Sequence, residues 1–308
     1  MLISAVVCTR DRADMAVRAI KSLIDQSADP AEYEILVIDN GSTDDTEEKV
    51  RTLADKTARV QVRYVKEPRT GIAHARNTGY EEAQGEYVAF IDDDAAAEPA
   101  WITRLIETIR AQHEPPVAVG GRILPLYEAP KPHWFLERYE ERTWGETARA
   151  LQRNESFSAS NMTILREALV EVGGFPTDVG MTGDRLLVGE EPQLFERLWD
   201  KLECEGRIVY DPRLRVRHSV TAGKMKLFTE FKRTFVAGQF HGIVIKRSGG
   251  VRFVPALRAF AVLCTRLVLA LFKVGHPKRW VYEGTGIIGE PLGRFLTLIG
   301  IEPKLKRN

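Results

Sequence analysis

The chain has 308 residues, 44% hydrophobic and 28% charged, enough apolar content for one large core or a core with an appendage, which excludes disorder as its default state. The net charge of +1 conceals an asymmetry: from Lys224 onward 16 Lys or Arg stand against 4 Glu, a balance of +12, leaving −11 on residues 1–223. Three cysteines, Cys8, Cys204 and Cys264, match no disulfide framework or metal-ligand spacing and suit a reducing, cytoplasmic compartment.

Leu2 to Cys8 reads as a first strand, with no basic segment ahead of it to suggest a signal peptide. Ala16, Ile20, Leu23 and Ile24 follow at helical spacing, and Ile35 to Ile38 forms a second strand ending on Asp39. Ser42, with Asp45 three residues on, has the form of a capping box for the next helix. Val60 to Val65 is a third strand, Ala73 to Gln84 a helix, Tyr87 to Ile91 a fourth strand, and Pro99 to Gln112 a helix with Pro near its first turn. Short apolar runs alternating with helices imply an α/β fold, a mostly parallel sheet flanked by helices on both faces.

Val117 to Val119 leads into Gly120-Gly121, and from Arg122 to Phe157 the regular pattern fades. That segment mixes prolines with Trp134, Phe135, Tyr139 and Trp144, the composition of a functional loop. Regularity returns at Ser160 to Leu165, in a helix after Pro192 and in a strand near Ile208 to Tyr210. We expect a catalytic domain over 1–223, divided into a nucleotide-binding part (1–115) and an acceptor-binding part (116–223, with loop 122–157). A basic, amphipathic helical region over 224–308 completes the chain. Within it Phe253 to Phe272 is apolar, but Arg258 and Arg266 each cost roughly 2.5 to 3.5 kcal/mol near a bilayer centre and argue against a span. With Lys273 these arginines share one side of a helical wheel, the pattern of a helix lying in a membrane interface. The expected partner of this region is an anionic membrane surface or a polyprenyl phosphate, with no nucleic acid, so the protein would be peripheral on the inner face of the cell membrane.

Asp92, Asp93 and Asp94 end the fourth strand, at the edge where open α/β sheets bind ligands. Three adjacent carboxylates repel one another unless a cation or ordered donors hold them ionised, and a hard divalent metal carrying a phosphate is the natural partner. Cys8 to Arg12, Val37 to Ser42 and Gly71 to Asn77 can reach the same edge, bringing amides, the Asp39 carboxylate and the Arg76 guanidinium toward a nucleotide.

These segments, Val-Val-Cys-Thr-Arg-Asp-Arg, Val-Ile-Asp-Asn-Gly-Ser-Thr-Asp-Asp-Thr, Gly-Ile-Ala-His-Ala-Arg-Asn-Thr-Gly and Asp-Asp-Asp, together resemble the family 2 glycosyltransferases over about Ile3 to His218. The resemblance implies the Rossmann-like GT-A fold and inverting transfer of a sugar from a nucleotide donor, usually a UDP-sugar. By the same resemblance Thr9, Arg10, Asp39, Arg76, Asp92 and Asp93 would contact the nucleotide. Asp94, with Asp92 and His218, would hold Mn2+ or Mg2+ on the diphosphate. Leu187 to Leu194 resembles the family's Gly-Glu-Asp-x-x-Leu segment, which makes Glu191 the general base, with Glu190 beside it as the alternative. Gly121 and Asn161 resemble segments that shape a sugar pocket, and Trp134 and Trp144 could stack on an acceptor sugar. The function expected is sugar transfer to a hydroxyl of a saccharide or polyprenyl-linked acceptor in cell-surface polysaccharide synthesis. A sugar-1-phosphate nucleotidylyltransferase and a non-catalytic nucleotide-sugar-binding scaffold at the membrane are the alternatives.

Overall fold

Four strands, β1 (Ile3–Thr9), β2 (Tyr33–Asp39), β3 (Val62–Lys66) and β4 (Tyr87–Asp92), run parallel in the spatial order β3-β2-β1-β4. Helices α1 (Ala13–Ile24), α2 (Thr46–Lys56) and α3 (Ile72–Glu82) connect them. Strands β1, β2 and β4 are mainly apolar because both their faces are covered, while edge strand β3, with Arg63 and Lys66, is half-exposed. Val6, Leu36, Ile38, Val88 and Phe90 enter one core, while Ala5, Val7, Ile35, Val37, Ala89 and Ile91 enter the other. Paired Thr9 and Asp39, and paired Cys8 and Asp92, place the C-terminal ends of β1, β2 and β4 at one edge.

This computed structural model describes residues 1–177, 189–247, 261–262, 265 and 277–301. The chain forms two units: Met1–Leu126, Glu140–Asp178 and Glu190–Ser219 make the first, and Tyr127–Tyr139, Val179–Gly189 and Val220–Asn308 the second. In the first, β5 (Ala95–Ala97), α4 (Trp101–Arg110), β6 (Ala118–Tyr127), β7 (Arg149–Ala150), β8 (Met162–Leu165), α5 (Arg166–Val172), α6 (Glu190–Lys201) and β9 (Ile208–Val220) follow in turn. Among the described residues the sheet has nine strands, ordered β3-β2-β1-β4-β8-β6-β9-β5 with β7 on β9, and it turns mixed where β8 joins β4 antiparallel.

Three local expectations differ from what forms. Helix α2 begins at Thr46, not at Ser42, because Asp44 Oδ1 accepts from the Thr46 N–H at 3.1 Å while the Ser42 N–H is taken by Asp39 Oδ1 at 2.8 Å. Ser42 Oγ accepts from the N–H of Asp11, a residue with φ of 51°, the left-handed region that a short polar side chain tolerates. The strand entering Gly120 continues to Tyr127, which shortens the irregular segment, and the strand at Ile208 runs on to Val220, well past the expected Tyr210.

In the second unit α7 (Thr229–Arg247) and α8 (Pro277–Leu298) run parallel, with Gly286 beside Glu230 and Gly242 beside Thr297. A Cβ on Gly238 would lie 1.9 Å from the Glu290 carbonyl oxygen, so only glycine permits this separation. Trp134, Phe135, Val220, Met225 and Tyr282 form that unit's aromatic core. Most of the 253–272 segment, including Arg258 and Arg266, and also Lys273, lies outside the described residues. No helix among the described residues is long and apolar enough to cross a membrane.

Candidate active site

The aspartate triplet divides its work. Asp93 is buried and turns inward, where its Oδ2 accepts from the Thr9 hydroxyl and its Oδ1 from Arg12 Nη1, both at 2.9 Å. Burial pushes its carboxyl up to about 6 against the opposing pull of Arg12. Asp93 therefore rivets the turn to β1 and is not presented to a ligand, and the Thr9 hydroxyl is spent on the same task. Asp92 and Asp94 are left partly exposed on either side.

Asp94 meets His218 because β5 pairs antiparallel with β9, setting Ala95 opposite His218, and the Ser219 N–H donates to the Asp94 carbonyl at 2.8 Å. His218 Nε2 lies 3.1 Å from Asp94 Oδ1, and Arg12 Nη1 lies 3.8 Å from Asp94 Oδ2. Ligand atoms of Asp92, Asp94 and His218 all fall within 4.8 Å of one another. Two carboxylates and an imidazole, each partly open to solvent, match the donor types of Mn2+ and, less closely, Mg2+.

Arg76, which α3 carries and which is 5% exposed, is the hub of the site. Its guanidinium reaches Asp92 Oδ1 at 3.6 Å, Glu190 Oε1 at 3.2 Å and Glu191 Oε1 at 3.4 Å. Burial alone would weaken its charge, yet Glu191, Glu190 and Asp92 together hold it firmly protonated. Both glutamates sit in the first turn of α6, which starts at Glu190 and places Pro192 third, where its missing N–H costs nothing. Glu191 remains partly exposed, whereas Glu190 is buried, and burial reinforced by the Glu191 charge pushes its carboxyl up to about 7. Cys8, register partner of Asp92, is a neutral thiol pushed up to about 12 by burial.

On the β2 side Asp39 is buried with both oxygens engaged, one by the Ser42 N–H and the other by the Tyr64 hydroxyl. Arg10 is exposed, 3.6 Å from Asp11. Asn40, Ser160 and Arg12 also build this edge, in segments the sequence singled out without assigning those residues these partners. Asn40 donates to the carbonyls of Glu67 (3.2 Å) and Arg69 (2.6 Å) and accepts from the Gly71 N–H (2.9 Å), pinning the start of α3 and hence Arg76. The Ser160 hydroxyl donates to Asp92 Oδ2, and Arg12 holds Asp93. The segments Cys8 to Arg12, Val37 to Ser42 and Ser160 to Met162 carried the signal, but the partners themselves appear only in the folded chain.

The expected sugar-pocket residues separate. Asn161 is buried, its Nδ2 donating to the carbonyls of Arg122 (3.1 Å) and Leu214 (2.9 Å) and its Oδ1 accepting from Trp101 Nε1 (2.9 Å), so its amide ties strands together with both donors engaged. Gly121 lets β6 approach β9, since a Cβ there would lie 2.0 Å from the Leu214 carbonyl oxygen. Trp134 belongs to the aromatic core of the second unit. Trp144 alone of the four is exposed, at 37%, with the Arg149 guanidinium 5.7 Å from its ring centre.

The sequence pattern described as Glycosyl transferase family 2 matches residues 4–173, more than half of the chain, and stops before Glu190 and His218. A curated relative, the glucosyl-dolichyl phosphate glucuronosyltransferase of Haloferax volcanii, is 31% identical over 230 residues, spanning 71% of this chain and 70% of that protein. Among solved structures, mannosyltransferase PcManGT from Pyrobaculum calidifontis, in complex with GDP-Man and Mn2+, superposes with a TM-score of 0.60 at 22% identity, over 96% of this chain and 86% of that one. S. aureus TarS 1-349 in complex with UDP-GlcNAc gives 0.57 at 13% identity, over 98% and 93%. These structural likenesses establish the GT-A fold. The sequence match and the Haloferax volcanii relative place this chain in glycosyl transferase family 2.

Proposed function

We propose that this glycosyltransferase moves a sugar, with inversion, from a nucleoside diphosphate donor, a UDP-sugar, to a hydroxyl of a saccharide or lipid-linked acceptor in glycan assembly. The observation that carries the reading is the placement of two acidic groups around Arg76: the Asp92–Asp94–His218 cluster on one side and the Glu190–Glu191 pair on the other. A single displacement requires a base for the attacking alcohol and charge neutralisation for the leaving group, and no protein nucleophile. Asp92, Asp94 and His218 would hold Mn2+ or Mg2+, which when bound supplies positive charge to the departing diphosphate. Glu191 takes the proton of the acceptor hydroxyl as its oxygen bonds to the anomeric carbon, the bond from that carbon to the diphosphate oxygen breaks, and the nucleoside diphosphate departs. Partial exposure favours Glu191 over buried Glu190 for this step.

Structural neighbours crystallised with GDP-Man and with UDP-GlcNAc support a nucleotide-sugar donor, and family resemblance favours uridine. The relative named for a dolichyl phosphate-linked substrate supports a lipid-linked acceptor. The +12 balance beyond Gly223 supports attachment to the inner, anionic face of a membrane. A panel of UDP-, GDP- and dTDP-sugars with Mn2+ or Mg2+, scored by metal-dependent release of nucleoside diphosphate, tests the reading. Glu191→Gln should abolish transfer and spare donor binding; normal transfer by that variant would remove the base assignment.

A further inference from the structure

Asp92 lies between two neighbours that draw its carboxylate in different directions. Strand β4 pairs antiparallel with β8, Phe90 opposite Met162, so counting two residues outward along each chain brings Asp92 level with Ser160, in the short 3-10 turn Ala159–Asn161. Ser160 is 2% exposed, and its hydroxyl donates to Asp92 Oδ2. The other oxygen, Oδ1, stands 3.6 Å from Arg76 Nη2, too far for a full hydrogen bond but across a gap that rotation of the carboxylate can close. Arg76 is itself fixed, being buried and paired through Nη1 with Glu190 and Glu191. The Asp92 side chain is 31% exposed, so packing alone does not keep it from the arginine. Closing on Arg76 would give Asp92 a charge-assisted hydrogen bond and withdraw it from Asp94 and His218.

We propose, resting on the reading of Asp92, Asp94 and His218 as metal ligands, that Ser160 is a positioning residue that holds Asp92 in the ligand cluster and off Arg76. A serine hydroxyl has one proton to give, and giving it to Oδ2 fixes the plane of the carboxylate while each oxygen keeps lone pairs for a cation. The burial of Ser160 and its place on a turn continuous with β8 give that proton a fixed origin, as an orienting partner of a metal ligand requires. In this role Ser160 touches neither donor nor acceptor and acts through Asp92 alone.

The test is the Mn2+ affinity of the full chain, read by electron paramagnetic resonance titration with Mn2+ alone, for wild type, Ser160→Ala and Asp94→Asn, with melting temperatures measured alongside. Ser160→Ala should weaken Mn2+ binding about ten-fold, the loss expected when the hydrogen-bond partner of a ligand is removed. Affinity within about two-fold of wild type overturns the proposal, because a merely structural Ser160 would lower the melting temperature and leave metal binding in place. In an Asp92→Asn background the same change should add less than about two-fold, and a further loss of about ten-fold would show Ser160 acting through another group and overturn the proposal. Should Ser160→Ala fail to fold, Ser160→Cys serves instead. Its thiol fills the same place but donates weakly, so binding about three-fold weaker is expected, and unchanged affinity again refutes the idea. Asp94→Asn separates the two readings. If it binds Mn2+ as wild type does, or if wild type binds none, the metal assignment fails and takes this inference with it; if it loses binding while Ser160→Ala keeps the wild-type affinity, only the present proposal fails.

Discussion

Asn161→Ala distinguishes a sugar contact from a structural knot. The truncation strands an indole N–H, from Trp101, and removes the side-chain donor from two carbonyls, those of Arg122 and Leu214, all in a region where Asn161 is 2% exposed. A buried group deprived of its partner costs about 1 to 3 kcal/mol, but each carbonyl has a second lone pair and loses less than the indole, so the sum comes to roughly 3 to 5 kcal/mol. For a unit of this size, each kcal/mol lowers the melting temperature by about 2 to 4 °C, which gives a drop of roughly 6 to 20 °C. Thermal unfolding read by circular dichroism measures the loss, and nucleotide-sugar binding by calorimetry at a temperature where the variant is folded supplies the second axis. The reasoning predicts a large fall in melting temperature with donor affinity within about two-fold. An unchanged melting temperature with donor binding reduced ten-fold or more would refute it and return Asn161 to the sugar pocket.

His218→Ala removes one of three candidate ligands and should weaken Mn2+ binding by at least about ten-fold in an electron paramagnetic resonance titration; unchanged affinity would exclude His218 from the metal site. Hydrogen bonds from Arg69 hold the buried Glu67 carboxyl down at about 2, below its ordinary 4.5, so its contribution to stability is full above pH 4.5 and disappears as pH falls toward 2. Glu67→Gln should flatten the dependence of the urea midpoint on pH across that window, and an unaltered slope would contradict the assignment. Gly238→Val forces α7 from α8 and should cost at least about 1 to 3 kcal/mol by overpacking, visible as a lower melting temperature; a neutral effect would mean that the helices do not touch there. If the basic region meets lipid, the full chain should sediment with phosphatidylglycerol vesicles and not with phosphatidylcholine vesicles, and 1 M salt should release it.

The centre of the parallel half of the sheet was legible because strands β2 and β4, buried on both faces, are written as mainly apolar runs that end on polar residues. Ile35 to Asp39 and Tyr87 to Asp92 show this plainly. The clustered carboxylates could be read for the same reason, since Asp92 and Asp94 stand at a strand terminus, beside His218. By contrast β5 consists of three alanines, Ala95 to Ala97, which carry neither alternation nor branched side chains, and its existence depends on pairing with β9. Strand β9 did carry a signal: Leu214, Val216 and His218 alternate with the outward arginines Arg213, Arg215 and Arg217, which places the histidine on the inner face. Ser42 and Asp45 fitted the grammar of a helix start, but Asp39 and Asp11 captured the loop first. Sequence spacing does not disclose such competition among short polar side chains. The structural partners of Asn161 and Gly121 were hidden in the same way, since a buried amide and a strand contact read alike with pocket components until the fold pairs them.

The three-alanine strand has an outcome for how the protein matures. By joining the aspartate turn to a histidine that arrives more than a hundred residues later, the β5–β9 ladder makes the Asp92–Asp94–His218 grouping a late product of folding. A nascent chain ending before β9 has two carboxylates but no imidazole, so it lacks that grouping. Any ion that needs all three side chains can therefore bind only after the sheet has closed.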